Sequence, residues 1–522
     1  MAVLDEKYNF KKIKTNRASG VLMHISSLPG PYGIGTLGKK AREFVDFLVK
    51  AGQTYWQLLP VGPTGYGDSP YQSFSTFAGN PYFIDLDMLI EQGLLTQEEV
   101  DANSQVEDSE RVDYGRLYQD RYTLLEIAFS RFDVSNKKFQ SFAKDKKAWL
   151  DDYALYMAIK EKLEGMAWTQ WPEEYKLRDK KALKAFEKDN IERVNYQRFM
   201  QFIFFEQWEA LKDYAHAEGI KFIGDLPIYV AEDSSDVWAN PDLFKLNDDL
   251  SLKFVGGCPP DGFSEDGQLW GNPVYDWPKH EKTNYKWWVE RLRSNFEIFD
   301  MIRLDHFRGF ESYWSIPAGE KTARNGEWIE GPAMKLFNQV KKSLGDIDII
   351  AEDLGYMTKE VYEFRKESGF PSMKVLQFGF DPQANSDYLP HNYDENSVVY
   401  TGTHDSDTIL GWLAIARPEE IETARMYFNL TQEETYNWGL IRGAMTSVAK
   451  LAVFQMQDLL FLDNKARMNN PGTLGGNWQW RMKDGAITDF MTGILHEYTR
   501  LSGRLNPKSI KEKEESAKKE DE

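Results

Sequence analysis

The sequence predicts an α/β fold, a (β/α)8 TIM barrel with large, mainly helical insertions between the barrel strands. Eight short apolar, β-branched runs recur along the chain, and helix-like stretches such as 38–51 and 334–343 lie between several of them. This alternation is typical of βα units on a parallel sheet, and eight strands are enough to close a barrel. The predicted strands cover 20–28, 55–62, 221–230, 298–307, 346–355, 373–380, 397–405 and 453–462.

The spacing of the predicted strands is uneven and indicates insertions. Roughly 150 residues separate the second strand from the third, which is too many for one helix and two loops. Apolar residues at three- and four-residue intervals before Gly219 predict a helix at the end of this gap. We therefore predict a catalytic barrel over 1–504 that includes a mainly helical inserted subdomain, 85–215, and an active-site loop insertion, 231–297. The Lys- and Glu-rich segment 505–522 is predicted to be a charged C-terminal tail.

The composition favours a neutral substrate. The 522-residue chain carries a formal net charge of −19, which disfavours nucleic acid and anionic membrane surfaces as partners. Aromatic residues make up 14% of the chain, with 16 Trp, and their apolar faces with polar edges suit flat, amphipathic ligands such as sugars. Most of these rings are nevertheless expected to lie in the core.

The sequence predicts a cytoplasmic location. Cys258 is the single cysteine, so the chain can form no intramolecular disulfide and shows no sign of an oxidising compartment. The first 14 residues are charged and lack an apolar run of signal-peptide length, and we find no apolar run long enough to span a membrane.

Three predicted strands end in carboxylic acids: Asp305 on the fourth, Glu352 on the fifth and Asp405 on the seventh. Because the C-terminal ends of barrel strands surround the active site, acids that are far apart in sequence are expected to meet at one mouth. Buried acids destabilise a fold unless they are paired or used. The coincidence of three such strands predicts a catalytic site.

Asp305 is predicted to be an ionised nucleophile. The two-residue period of a strand places Arg303 on the same side as Asp305. A neighbouring positive charge favours the ionised carboxylate, which is the form that attacks a sugar's anomeric carbon. A purely structural ion pair inside the barrel would show the same spacing.

Glu352 is predicted to hold a proton near neutral pH. It ends a strand that contains Ile347, Ile349 and Ile350, and this apolar setting should raise its pKa. Glycosidic cleavage requires this division of labour, with one carboxyl group ionised and the other protonated. A Glu that caps a helix or anchors a loop is the structural alternative.

Further polar and aromatic residues border the predicted mouth. His404 and two threonines accompany Asp405, so the seventh strand offers donors and an acceptor for sugar hydroxyls. Two glycine-rich loops, 65–72 and 256–275, are predicted to be substrate loops. In the second loop, Phe263 and Trp270 are expected to stack on a ligand or close over it, or alternatively to pack back into the core.

Several segments together resemble one family. They are 65–72, 224–229 (Gly-Asp-Leu-Pro-Ile-Tyr), 256–275, 303–309 (Arg-Leu-Asp-His-Phe-Arg-Gly), 351–355 (Ala-Glu-Asp-Leu-Gly) and 403–405 (Thr-His-Asp). Over about 20–481 the chain resembles the amylomaltase, or 4-α-glucanotransferase, family of the α-amylase superfamily. Residues of the inserted region and those after Arg481 match least.

This resemblance implies a retaining double displacement. Asp305 would form a glucosyl-enzyme intermediate, Glu352 would protonate the departing sugar, and Asp405 would stabilise the distorted ring. The acceptor would preferentially be the 4-hydroxyl of another malto-oligosaccharide or α-1,4-glucan rather than water. The resemblance implies no organic cofactor, and we predict no metal site. The substrate-binding residues that we predict are Tyr66, Asp68, Asp225, Phe263, Gln268, Trp270, Arg303, His306 and His404.

Four other functions remain open at the level of sequence. An α-glucan hydrolase would use the same carboxylates, because hydrolysis and transfer share their first step. A metal-dependent barrel hydrolase could use the His and Asp residues of the mouth, but a second histidine two residues after His24 and a His-Glu-x-x-His helix are missing. A catalytically inactive glucan-binding protein would not need all three acids. The Gly-rich segment 33–38 fits a dinucleotide fingerprint, but the following strand lacks the acidic residue that would hold a ribose.

Overall fold

Eight parallel strands close into a barrel, as predicted. The computed structural model describes residues 17–65, 67–104, 108–260, 264–355, 357–473 and 475–509. The strands are β1 (Ala18–Leu22), β2 (Tyr55–Gln57), β3 (Lys221–Leu226), β4 (Phe254–Cys258), β5 (Gln268–Pro273), β6 (Met301–Leu304), β7 (Ser312–Pro317), β8 (Glu327–Glu330), β9 (Ile349–Ala351), β10 (Ser372–Val375), β11 (Ser397–Tyr400) and β12 (Leu451–Gln455). Around the barrel the order is β1, β12, β11, β10, β9, β6, β3 and β2.

Each predicted run overlaps one barrel strand, but the strands are shorter than the runs, and β1, β10 and β12 begin one or two residues before theirs. On the fourth run the strand ends at Leu304, so that Asp305 is the first residue beyond it. On the fifth run β9 ends at Ala351, directly before Glu352. The apolar pattern therefore locates the strands, whereas the residues that follow each strand turn out over the barrel mouth.

The strand register brings polar residues of neighbouring strands together. Asp225 of β3 pairs with Arg303 of β6, and both side chains are buried. Gly224, just before Asp225, allows the close approach of a neighbouring ring, because a Cβ at this position would lie 2.1 Å from the Phe299 side chain. Larger residues would therefore displace β3 at the point where it carries Asp225.

Helices surround the barrel and fill the predicted insertion. The helices predicted over 38–51 and 334–343 are present as α1 (Lys39–Lys50) and α13 (Met334–Leu344), and further helices lie between β2 and β3. The proposed boundaries of a separate subdomain stay a prediction. The helices are α1 (Lys39–Lys50), α2 (Leu86–Glu91), α3 (Gln97–Asn103), α4 (Tyr114–Arg131), α5 (Lys137–Asp145), α6 (Lys147–Lys162), α7 (Glu173–Lys176), α8 (Lys180–Asp189), α9 (Ile191–Ala217), α10 (Ser235–Ala239), α11 (Trp277–Lys282), α12 (Lys286–Ile298), α13 (Met334–Leu344), α14 (Lys359–Ser368), α15 (Ile409–Ile415), α16 (Pro418–Phe428), α17 (Tyr436–Thr446), α18 (Met456–Leu459) and α19 (Asp489–Leu501).

A second sheet lies outside the barrel and was not predicted. Strands β5, β4, β7 and β8 form it in that order, with antiparallel pairing throughout. Much of the predicted loop 256–275 therefore belongs to β4 and β5. Its glycines and prolines favour a loop locally, but the pairing of β4 with β5 on one side and with β7 on the other supplies the hydrogen bonds that hold the two strands extended.

The beginning of the predicted charged tail contacts the barrel. Asn506 is buried, and its side-chain amide donates to the carbonyl oxygens of Gln53 and Gly219, each at 2.9 Å. Residues 510–522 lie outside the described residues, so the tail as a whole stays a prediction. Within the described ranges, no helix is both long and apolar enough to cross a membrane.

Candidate active site

A buried arginine joins two acids at the barrel mouth. Arg303 Nη1 lies 2.5 Å from Asp225 Oδ2, and Arg303 Nη2 lies 3.1 Å from Asp305 Oδ1. The predicted proximity of Arg303 and Asp305 is present. Asp225 and Asp305 raise the pKa of Arg303 well above its ordinary value against the opposing effect of burial. The guanidinium therefore stays charged and supplies a fixed positive field beside Asp305.

Tyr71 links this ion pair to the loop that carries Asp405. Its hydroxyl donates to Asp225 Oδ2 at 2.9 Å and lies 2.8 Å from His404 Nε2. The Tyr71 and His404 rings stack with their centroids 5.2 Å apart. His404 Nε2 is also 3.3 Å from Asp405 Oδ2. A connected polar network thus extends from β3 to the loop after β11.

Glu352 is fixed from the neighbouring strand end. The backbone N–H of His306 donates to Glu352 Oε2 at 2.5 Å, and the N–H of Glu352 donates to the carbonyl of Leu304 at 3.1 Å. His306 adopts the left-handed backbone conformation, with φ 50° and ψ 50°. This conformation is uncommon for a residue with a side chain, and residues held in it cluster at functional sites.

The two carboxyl groups differ in their readiness to hold a proton. Burial raises the pKa of Asp305 to about 6, while the charge of Arg303 opposes this rise. Burial also raises the pKa of Glu352, to about 8, and the nearby charge of Asp305 adds to the effect. Near neutral pH, Asp305 is therefore the ionised member of the pair and Glu352 the protonated one.

The pKa of Asp405 is lowered, in contrast to those of Asp305 and Glu352. Burial acts to raise its pKa, but His404 and the hydrogen bonds from His404 and Asn469 outweigh burial and lower the pKa to about 2. Asp405 therefore carries a negative charge over the whole pH range in which the other two acids titrate. The site therefore combines Asp405, which stays ionised, with Asp305 and Glu352, of which one is ionised and one protonated near neutral pH.

Trp270 and His306 form one wall of the mouth. Their rings meet edge to face with centroids 4.8 Å apart, and Trp270 Nε1 donates to Gln268 Oε1 at 3.1 Å. The Trp270 ring also lies 6.2 Å from that of Tyr229. Burial lowers the pKa of His306 to about 3, which leaves its imidazole neutral. Strand β5 therefore places two of the predicted substrate-binding residues, Gln268 and Trp270, near a third, His306, two residues after β6.

The places of three predicted residues, Asp68, Tyr66 and Phe263, stay predictions. Asp68 borders a cleft of about 410 Å³ whose wall also includes Tyr32, Tyr114 and Gln479. Burial raises the pKa of Asp68 to about 6. A place for Asp68 beside Asp305 stays a prediction. Tyr66 and Phe263 are among the residues that the structure does not describe.

The structure adds residues that the sequence analysis did not single out. Tyr71 lay inside the predicted substrate loop 65–72, so its place in the motif was a usable signal. Asn469, which donates to Asp405 Oδ1 at 2.6 Å, carries no such signal in its local sequence. Trp478 contacts the same network, with its ring 5.7 Å from that of Tyr71 and 6.0 Å from that of His404.

Within the described ranges, no group of three or more His, Cys, Asp or Glu residues is placed to hold a metal ion.

The fold and the site together define a class of protein: a (β/α)8 barrel enzyme whose paired carboxyl groups suit nucleophilic and acid/base chemistry on a polar substrate. A family model for 4-alpha-glucanotransferase matches residues 23–488. The chain belongs to this 4-alpha-glucanotransferase family.

Individual relatives support the same assignment. The chain is 54% identical over 485 residues to a 4-alpha-glucanotransferase of Clostridium butyricum, and the matched region covers 92% of this chain and 100% of the relative. It is 52% identical over 497 residues to one of Streptococcus pneumoniae, covering 94% of this chain and 98% of the relative. The solved amylomaltase from Streptococcus agalactiae, in complex with acarbose, has a TM-score of 0.92 and 42% identity over 94% of this chain and 100% of that one. The family resemblance seen in the sequence is confirmed.

Proposed function

We propose that this enzyme transfers α-1,4-linked glucan segments between malto-oligosaccharides, with Asp305 as nucleophile and Glu352 as general acid/base. The observation that carries the proposal is the buried pair of carboxyl groups with different pKa values at the barrel mouth. A retaining mechanism requires one ionised and one protonated carboxyl group, about 5 to 5.5 Å apart. Arg303, 3.1 Å from Asp305, favours the ionised form of the nucleophile.

In the first half of the reaction, the Asp305 carboxylate attacks the anomeric carbon of the glucose at the cleavage site. The bond from this carbon to the glycosidic oxygen breaks, and Glu352 gives its proton to that oxygen. The departing glucan leaves with a new hydroxyl group. The retained glucan is held as an ester of Asp305.

In the second half, the 4-hydroxyl of an acceptor glucan attacks the same carbon. Glu352, now a carboxylate, takes the hydroxyl proton, and the ester bond to Asp305 breaks. Two displacements restore the original α configuration. The number of glycosidic bonds is unchanged, so chain lengths are redistributed without net hydrolysis.

Asp405 and His404 are proposed to orient the sugar ring at the cleavage site. The permanent charge of Asp405 stabilises the positive charge that develops on the ring in the transition state. The buried Arg303 and Asp225 would complete this subsite, whose hydroxyl contacts are polar and directional. The further proposed substrate-binding residues are Tyr66, Asp68, Phe263, Gln268, Trp270 and His306.

The acceptor and the location of the enzyme are also part of the proposal. The acarbose complex of the Streptococcus agalactiae amylomaltase supports malto-oligosaccharides and α-1,4-glucans as donor and acceptor. We propose that neither an organic cofactor nor a metal ion is required and that nucleic acid and membranes are not partners. A cytoplasmic location agrees with the single cysteine, Cys258, in the sequence.

Incubation of the purified enzyme with maltotriose, with a chelator present, tests the proposal. We expect glucose together with maltopentaose and longer chains, while the total of reducing ends stays constant. Asp305→Asn should abolish both products, whereas Asp248→Asn, a matched change at an exposed site, should leave them unchanged. A rise in reducing ends with shorter sugars alone would identify a hydrolase instead, and loss of activity with the chelator would point to a metal.

A further inference from the structure

The segment after α18 reaches the loop that carries Asp405. Its residue Asn469 donates from its side-chain amide to Asp405 Oδ1 at 2.6 Å, and its backbone N–H donates to the carbonyl of His404 at 3.1 Å. We propose that Asn469 is a positioning residue for the transfer reaction: its side-chain amide fixes one oxygen of Asp405 and, together with His404, sets the orientation and the charge of this carboxylate. The inference rests on the proposed function, in which Asp405 stabilises the sugar ring.

A second contact holds the two loops together independently of the Asn469 side chain. Arg467 donates from Nε to the carbonyl of Asn469 at 2.7 Å and from Nη2 to the carbonyl of Asp405 at 2.5 Å. Its Nη1 lies 2.6 Å from Asp407 Oδ1. The guanidinium therefore joins the backbones of the two loops, and the Asn469 amide has little freedom to turn away from Asp405.

The two carboxylate oxygens of Asp405 are held from different elements. Oδ1 accepts from Asn469, whereas Oδ2 lies 3.3 Å from His404 Nε2. With one oxygen fixed on each side, the plane of the carboxylate is determined. The charged and titratable groups that act on Asp405 are His404 on its own loop, Arg303 and Asp305 at the end of β6, Tyr71 in the loop after β2, and Arg467 with Asp407 at its backbone.

A neutral amide donor is the chemistry that this position requires. A hydrogen bond to the charged form of a carboxylate favours that form. An aspartate at the same place would have the same size but would present a second negative charge to Asp405, and one of the two acids would then bind a proton at a raised pKa. When one of the two carboxyl groups is protonated, its O–H can donate a hydrogen bond to the other carboxylate.

This reasoning gives a test with a readout that a merely structural role would not move. The kcat for maltotriose disproportionation is measured for Asn469→Asp, Asn469→Ala and wild type across the pH range. For Asn469→Asp we expect kcat at high pH to be lower than that of wild type by a factor on the order of 100. This factor should become smaller by about 10-fold or more between about pH 8 and pH 6, because the pair formed by Asp405 and the new aspartate takes up a proton. With Asn469→Ala we expect a loss of about 10-fold that stays constant with pH.

Asn470→Asp is the matched control, because it places the same charge on the neighbouring, exposed residue. Its kcat relative to wild type should be close to one at every pH. Thermal unfolding of each variant shows whether the loop is still folded. If the Asn469→Asp loss is independent of pH, or if it equals that of Asn470→Asp, the positioning role is overturned. Absence of transfer in the wild type itself would overturn the proposed function beneath it.

Discussion

At the scale of single residues, burial and neighbouring charges give two carboxyl groups, those of Asp305 and Glu352, different pKa values. Both Asp305 and Glu352 have raised pKa values because their charged forms lose water at the barrel mouth. Arg303 opposes the shift more effectively at Asp305, which it contacts directly. The charge on Asp305 in turn disfavours ionisation of Glu352. The order of the two pKa values, rather than either value, supports the proposed roles of Asp305 as nucleophile and Glu352 as proton donor.

The pH dependence of kcat/KM follows from this order. Asp305 must be ionised, so the rate should fall as the pH drops through about 6, and Glu352 must be protonated, so it should fall as the pH rises through about 8. These values belong to the coupled pair. The pH profile of kcat/KM on maltotriose should therefore be bell-shaped. On a donor whose leaving group needs no proton, the kcat/KM of Glu352→Gln should not fall at high pH. A kcat/KM that stays level well above pH 8 would contradict the assignment of Glu352.

Sequence reasoning predicts part of this residue-scale account. The two-residue period of a strand was enough to place Arg303 beside Asp305, and the isoleucines before Glu352 were enough to predict its raised pKa. The raised pKa of Asp305 was not predicted, because the sequence shows the neighbouring arginine but not how deeply the carboxyl group is buried. The Asn469 contact depends on two loops that meet only in the folded chain.

At the scale of elements, a buried arginine on α12 fixes the segment that follows β3. Arg291 donates to the carbonyl oxygens of Pro227 at 2.7 Å and Ile228 at 3.0 Å. Its Nε also donates to Thr76 Oγ1 at 2.7 Å. One side chain therefore holds the segment after Asp225 and the segment after the first substrate loop in fixed relation, which keeps Asp225 in register with Arg303.

Removal of this guanidinium should destabilise the fold. Arg291→Met removes the donor to the carbonyl of Pro227, whereas the carbonyl of Ile228 keeps the Tyr275 hydroxyl as a donor at 2.8 Å. We expect the free energy of unfolding to fall by about 3 kcal/mol. On the same helix, Arg293 is half exposed and lies 3.7 Å from Glu290. Arg293→Met should change the free energy of unfolding by at most about 0.5 kcal/mol. Denaturant unfolding of both variants measures the difference, and equal values would contradict the role given to Arg291.

The sequence predicted barrel elements better than the elements around the mouth. Barrel strands are apolar on both faces, so their runs are visible in the sequence. Strands β4 and β5 contain glycines and are extended because β4 pairs with both β5 and β7, which is a tertiary effect that local patterns do not reveal. For the same reason Trp270, predicted to lie in a flexible loop, is held on a strand.

At the scale of the whole molecule, the barrel and the helical insertion share one hydrophobic core. The largest cluster of buried side chains includes residues of both, and a smaller cluster includes Leu150 and Tyr153 of the insertion. The contact is direct, since the ring of Trp208 on α9 lies 5.1 Å from that of Phe222 on β3 and 5.8 Å from that of Phe299. The insertion therefore buries part of its apolar surface directly against the barrel.

We accordingly expect the barrel and the insertion to unfold together. Far-UV circular dichroism, tryptophan fluorescence and calorimetry should report one coincident thermal transition. Trp208→Ala should lower its midpoint in all three signals alike, because the cavity weakens the shared core. Two separated transitions, with only one of them moved by Trp208→Ala, would show that the insertion is an independent unit.

The central claim is that Asp305 carries the glucan during transfer. The most direct test treats Glu352→Gln with α-maltosyl fluoride, whose fluoride leaves without a proton while release of the ester is slowed by loss of the base. After proteolysis, mass spectrometry should find one maltosyl group on the peptide that contains Asp305 and none in Asp305→Asn. A maltosyl group on another carboxylate, or fluoride release with no labelled peptide at any time, would contradict the account.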